Sequence, residues 1–221
     1  MSEVPIPPAS SHHVTKVLRL GSGAAVTYTD GAGQHGEGRL AVEQRGQGRS
    51  IPSGGTVVRG HERWVPPPDV AITMAVAPPH DRDRLRFMIE KLAELEVRRI
   101  AFLQTRFGAA RLPDLSKATA WAIGALEQSQ GAWLPDIVPG WTDLASLDLA
   151  NSWFADLDGA DNPAPVPLEL TIAIGPEGGW APGEIPENAI RLGLGRTVLR
   201  VETAAIVAAG LIRSRGPDSG A

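Results

Sequence analysis

The chain has 221 residues, 21 Lys and Arg against 25 Asp and Glu, 43% hydrophobic positions and no cysteine, which excludes disulfide scaffolds, thiolate metal sites and cysteine nucleophiles. No apolar run approaches the roughly 18 residues that span a bilayer, and residues 1–10 lack the basic and apolar regions of a signal peptide, so a soluble, cytoplasmic protein of one or two domains is expected. The net charge of −4 argues against a general coat for nucleic-acid phosphates, although residues 1–68 carry +2, residues 69–221 carry −6, and residues 82–111 hold eight Arg or Lys against four acids. That last stretch reads either as a local basic face or as the solvated side of a helix.

Residues 1–68 read as a small β-barrel. A helical turn is expected over residues 10–20, where Ser11 could cap and Val14, Val17 and Leu18 share a face. Strands follow at residues 24–29, closed by Asp30-Gly31, and at residues 56–58 after Gly54-Gly55; the glycine-rich run at residues 31–48 reads as a long hairpin loop between them. Consecutive prolines fix φ and remove amide donors, so Val65-Pro66-Pro67-Pro68-Asp69 marks the boundary to a second domain at residues 69–221.

Beyond the boundary strands and helices alternate, as in an α/β protein with a parallel sheet. Strands are expected at residues 71–76, 99–103, 136–138, 168–174 and 198–200. Helices are expected at residues 83–96, 115–131 and 203–213, the first with Leu85, Met88, Ile89, Leu92 and Leu95 on one face. A polar, Trp-containing stretch separates residue 138 from residue 168, and residues 216–221 read as a disordered tail.

Two segments carry chemistry. Ile172-Ala173-Ile174 runs into Gly175-Pro176-Glu177-Gly178-Gly179-Trp180, a buried strand opening into a loop with three glycines. Glycine adopts φ > 0 and lets backbone approach a ligand at the C-terminal end of a parallel strand. No Gly-Lys-Ser/Thr follows, and the glycine spacing fits no dinucleotide fingerprint, so the loop alone is equally an ordinary turn. The second segment, residues 192–205, joins a Gly-containing loop to an alanine-rich helix, with Glu202 and Thr203 placed for capping or, together with Arg200, for orienting a ligand. The five histidines show no metal-ligand spacing, so no metal is expected, and no Gly-x-Ser-x-Gly elbow is present.

Gly175-Pro176-Glu177-Gly178-Gly179 followed by Leu194-Gly195, Leu199-Arg200 and Glu202-Thr203-Ala204 resembles the RsmE-type 16S ribosomal RNA uridine-N3 methyltransferases of the SPOUT superfamily. The likeness extends upstream to the Lys91 to Val97 helix end, Thr105-Arg106 and Glu127-Gln128-Ser129, and to His12 through Leu20 and Thr29-Asp30-Gly31 in the first half. The resemblance implies a PUA-like RNA-binding β-barrel before a SPOUT domain with a trefoil knot, a homodimer, and S-adenosylmethionine as cofactor. It implies transfer of a methyl group to N3 of a uridine in 16S ribosomal RNA, free or in the assembled small subunit, with no membrane partner. By match, the cofactor pocket comprises Leu103, Gln104, Thr105, Gly175, Pro176, Glu177, Gly178, Gly179, Leu194, Gly195, Val198, Leu199 and Arg200. Arg106 and Arg200 would stabilise charge developing on the uracil ring, and Glu202 or Glu177 would accept the N3 proton or fix an arginine. Trp180 and Trp133 are candidates for stacking on a base, or for packing.

The chain departs from the family pattern at several positions. Asp81-Arg82-Asp83-Arg84 stand for Lys-Gly-Asp, Glu96 for Gly, Gln130-Gly131 for Gly-Arg and Val201 for Thr, and the opening strand shrinks to Glu3-Val4-Pro5-Ile6. The cofactor motifs are better kept than the RNA surface, which admits two alternatives: a paralogue that binds RNA without methyl transfer, or one that methylates a different RNA.

Overall fold

The computed structural model describes residues 3–7, 10, 11, 14, 19–42, 55–109 and 111–217. The chain forms two compact units, Met1–Pro66 and Pro67–Ala221.

The first unit is a four-stranded antiparallel sheet of order β1-β4-β3-β2, built from β1 (Glu3–Pro5), β2 (Ala25–Thr29), β3 (Gln34–Val42) and β4 (Gly55–Trp64). The shrunken opening strand survives as β1, paired with β4 from Glu3↔Val58 to Pro5↔Thr56. Residues 34–42, expected to be loop, are instead a nine-residue strand. The reason is steric: a Cβ on Gly36 would sit 2.4 Å from the Tyr28 ring, and one on Gly38 would sit 2.5 Å from Val57. The glycines that suggest a loop are the ones that make room for the neighbouring strands. Tyr28 covers them and donates its hydroxyl proton to Glu62 Oε1 at 2.6 Å. Most of the expected helical turn (residues 12, 13 and 15–18), the end of the expected hairpin loop (43–48) and the tail (218–221) lie outside the described residues.

The second unit contains β5 (Ala71–Val76), α1 (Arg82–Glu94), β6 (Arg99–Gln104), α2 (Leu115–Ser129), β7 (Asp136–Asp143), β8 (Ser152–Ala160), β9 (Glu169–Ile174), β10 (Ile190–Leu192) and α3 (Val201–Arg215). Its strands form one sheet of order β10-β8-β9-β5-β6-β7, parallel throughout. The chain steps outward from β5 to β7 on one side and enters the other side with β8. The order therefore reverses between β5 and β9.

Alternation along the strands sorts the core into two layers. Ile72, Met74 and Val76 of β5, Ile100 and Phe102 of β6, and Leu170, Ile172 and Ile174 of β9 meet the apolar faces of all three helices. The opposite face carries Ala75, Ala101, Leu103 and Ala173, and is covered by Phe154, Trp180, Ile185 and short 3₁₀ turns bearing Leu144 and Leu149. The expected helix starts hold because carboxylates cap them: Asp81 accepts from the Arg84 N–H at 2.9 Å, and Asp114 from the Lys117 N–H at 3.2 Å.

Three strand expectations are corrected. β7 continues to Asp143 through a bulge at which Ile137↔Ile100 is followed by Trp141↔Phe102, with Gly140 at φ 80°; Pro139 and Gly140 mimic a strand end. β8 lies in the stretch read as polar connection, because only Ser152, Trp153 and Phe154 are buried while Asp156, Asp158 and Gly159 mask the pattern. Val198-Leu199-Arg200 is not a strand: Val198 is 82% exposed, and Arg200 is the N-cap of α3, which starts at Val201. The strand beside β8 is β10, eight residues earlier, with Leu192 fully buried.

At the end of α1, Glu96 adopts φ 52° and its carbonyl accepts from Arg213, whose guanidinium also bonds the carbonyls of Leu95 (2.9 Å) and Val70 (2.6 Å). Burial lowers the Arg213 pKa from its usual value, and three carbonyls hold the cation between α3, α1 and the start of β5. No helix among the described residues is long and apolar enough to cross a membrane. Left-handed backbone costs a non-glycine residue about 1–2 kcal/mol, partly offset by the greater chain entropy of glycine when unfolded. Glu96→Gly is therefore expected to raise stability by about 0.5–1 kcal/mol in denaturant titration. A loss would show that the Glu96 carboxylate beside Arg213 outweighs the strain.

Candidate functional site

β9 ends at Ile174 and the chain turns at once, with the Gly179 N–H bonding the Pro176 carbonyl at 2.9 Å. Gly179, at φ 75°, takes the left-handed conformation; Gly178 does not. Gly175 serves a different need. A Cβ there would stand 2.7 Å from the ring of Trp180, which folds back on the strand end. The Trp180 Nε1–H donates to the Ala155 carbonyl at 2.9 Å, and its ring meets Phe154 edge-on at 5.9 Å. Trp180 is thus a packing residue that ties the loop after β9 to β8.

The second glycine segment lies alongside. The Gly193 N–H bonds the Ala160 carbonyl at 2.9 Å, and a Cβ on Gly193 would fall 2.3 Å from the Gly159 carbonyl oxygen, so β8 and the segment after β10 are in backbone contact. Gly195 then turns at φ 125° toward α3. Between the two segments opens a cavity of about 420 Å³, within the usual size range of small-molecule sites. Of the residues expected to bind a cofactor, Gly175, Pro176, Gly179, Leu194, Gly195, Val198 and Leu199 line it.

The other expected residues lie elsewhere. Leu103 is fully buried in the small-residue layer, and Gln104 is exposed at the end of β6. Thr105 has a buried Oγ1 with no hydrogen-bond partner among the described residues. The loop that follows is held to the glycine loop by Glu184, which accepts the Arg106 N–H at 2.5 Å on one oxygen and the Ala181 N–H at 2.7 Å on the other. Phe107 lies against Gly178. The Arg106 side chain and the Arg200 side chain are exposed and without an ion-pair partner among the described residues. Glu177 and Glu202 flank a cation that the sequence reading did not single out. The Arg84 guanidinium pairs with Glu177, and its Nη1 is 4.0 Å from Oε2 of Glu202, which is 6% exposed and whose Oε2 has no hydrogen-bond donor among the described residues. The arginine that these carboxylates fix is Arg84, rather than Arg106 or Arg200.

Arg84 sits one turn inside the N-terminus of α1, where the helix dipole disfavours a cation. That misplaced charge was the signal for an anionic partner. Glu184 offered no comparable signal, since it bonds backbone amides of two separate loops. Asp156 of β8 and Arg191 of β10, which form an ion pair on the cavity wall, were hidden because neither strand was foreseen.

A methyl group at position 175 would displace the Trp180 ring and strain the core by about 1–3 kcal/mol. Gly175→Ala is expected to destabilise the protein by that amount in denaturant titration. Gly178→Ala, whose Cβ would meet only Phe107 at 3.3 Å, should cost less, and equal costs would contradict this account of the loop.

Comparison with known proteins bears on the same region. A family model described as an RNA methyltransferase domain matches residues 66–213, which include both glycine segments and the cavity between them. The chain is 28% identical to the ribosomal RNA small subunit methyltransferase E of Synechocystis over 90% of its own length and 69% of the relative's. It is 28% identical to the same-named protein of Mycobacterium bovis over 90% and 82%. The crystal structure of a ribosomal RNA small subunit methyltransferase E from Neisseria gonorrhoeae bound to S-adenosyl methionine superposes with a TM-score of 0.82 at 22% identity, covering 98% of this chain and 93% of that one, which shows the shared fold. On a match that spans two thirds of the chain and encloses the cavity, this protein belongs to the RNA methyltransferase domain family.

Proposed function

We propose that this protein is an S-adenosylmethionine-dependent methyltransferase that modifies N3 of a uridine in 16S ribosomal RNA of the small subunit. The observation that carries this reading is the meeting of the two family motifs, residues 175–179 and 194–204, around one cavity at the carboxyl end of a parallel sheet. Relatives named for small-subunit ribosomal RNA methylation support it along nearly the whole chain. With the reading come a trefoil-knotted path through the second unit, a PUA-like role in RNA binding for the first, a homodimer, and action in the cytoplasm.

The cavity fits the cofactor. Its apolar walls, among them Leu194, Val198 and Leu199, suit an adenine ring, and Gly179 and Gly195 allow backbone to approach closely. When bound, the sulfonium supplies an electrophilic methyl group. What the chain itself must do is hold the uridine so that N3 is in line, and deal with the N3 proton, which is bound at neutral pH. Arg106, exposed in the loop after β6, and Arg200, exposed at the N-cap of α3, are free to approach the uracil oxygens and stabilise the negative charge left when that proton departs. Glu202, buried beside Arg84, contributes by anchoring the start of α3. The first glycine loop is held to α1 by Arg84 through Glu177 and to β8 by Trp180 through Ala155.

The test is mass spectrometry of digested 16S RNA from small subunits lacking this modification, incubated with the protein and labelled S-adenosylmethionine. N3-methyluridine at one position is the expected product; cofactor binding with no transfer, or methylation of another base, would overturn the reading. Arg200→Ala is expected to lower the maximal rate by ~10² or more with the fold intact. A loss confined to RNA affinity would make Arg200 a docking residue instead.

A further inference from the structure

The cavity lining holds two charged side chains, Asp156 and Arg191, and neither belongs to the motifs that define the family. They stand on adjacent parallel strands: Arg191 is in register with Phe154, two residues before Asp156. The Arg191 Nη1 donates to Asp156 Oδ2. Both have capacity left. A guanidinium carries five N–H donors, and among the described residues Asp156 Oδ1 meets only the Asp158 N–H at a marginal 3.5 Å. The side chains are 19% and 42% exposed, and a half-exposed ion pair adds little stability, so stability does not account for a charge pair on a wall that is otherwise uncharged.

The cofactor proposed above ends in an α-amino acid, which presents an ammonium and a carboxylate a few atoms apart. Such a group needs an anion and a cation side by side. If it enters a wall that already carries a matched pair, ammonium goes to Asp156 and carboxylate to Arg191, and the site gains no uncompensated charge. We propose that the Asp156–Arg191 pair is the recognition site for the aminoacyl end of the cofactor, with Asp156 taking the ammonium and Arg191 the carboxylate. This rests on the cavity being the cofactor site.

Calorimetric titration distinguishes this from other roles, using S-adenosylhomocysteine, which has the aminoacyl end, and 5′-methylthioadenosine, which keeps the nucleoside and lacks that end. The wild type should bind S-adenosylhomocysteine more tightly than methylthioadenosine. Asp156→Asn and Arg191→Gln should each weaken S-adenosylhomocysteine by about tenfold or more, the loss of one charge-assisted bond, and leave methylthioadenosine within about twofold. The unchanged methylthioadenosine affinity also reports that each variant is folded. An equal loss for both ligands would assign Asp156 to the ribose hydroxyls or the pair to structure, and would overturn the proposal. Unchanged binding of both ligands would overturn it too, leaving the cofactor reading intact, whereas a wild type that binds neither ligand would remove both.

Discussion

The architecture of the site depends on a contact with no room for a side chain. Trp180 folds back so that its ring occupies the space above Gly175, and its indole N–H is satisfied by the Ala155 carbonyl. This one residue closes the small-residue layer of the sheet, joins the ends of β8 and β9, and aims the rest of the glycine loop toward the second loop. Had residue 175 carried a Cβ, the indole would have to move outward, Phe154 would lose its edge-on partner, and the cavity would lose a wall. Large aromatic area is cheap to place where the backbone leaves space, and costly to displace once its polar atom is bonded.

Charged groups then do what packing alone cannot, which is to hold loops to one another. Arg84 binds Glu177 of the first loop and lies beside the buried Glu202 of α3. Glu184 gathers the Arg106 and Ala181 amides on its two oxygens. Hydrogen bonds in which one partner is ionised are stronger than neutral ones, and they are directional, so they suit connections between segments that share little apolar area. At the far end of the unit Arg213 plays the same part with three carbonyls, pinning the helix layer where Glu96 accepts strained backbone. The left-handed backbone at Glu96 is therefore a local strain, held in place by a bond from another element.

Much was legible in the residues themselves. Apolar spacing located α1, α2, β5, β6 and β9 to within a few residues, because a buried parallel strand and an amphipathic helix each leave a periodic trace, and the caps at Asp81 and Asp114 mark where helices must begin. The family resemblance carried by residues 175–179 and 194–204 is the one that comparison returns, and seven of the expected cofactor residues line a single cavity. These features depend on local sequence: a glycine that must turn, a helix that must start, a strand that must be covered on both faces.

What the tertiary structure decided is what neighbouring strands and distant partners decide. β3 is a strand because Tyr28 and Val57 need the space its glycines leave, and β8 is one because β9 and β10 lie on either side of a stretch whose own pattern is broken by aspartates. Val198 and Leu199 look like a strand in sequence, yet they join no sheet and line the cavity just before α3 begins, with Val198 82% exposed. The pairings of Arg84 with Glu177, Glu184 with Arg106, and Asp156 with Arg191 join residues 93, 78 and 35 positions apart. A residue's charge is written in the sequence, but its partner is set by the path of the chain, so the motifs could be read in advance and the contacts that hold them could not.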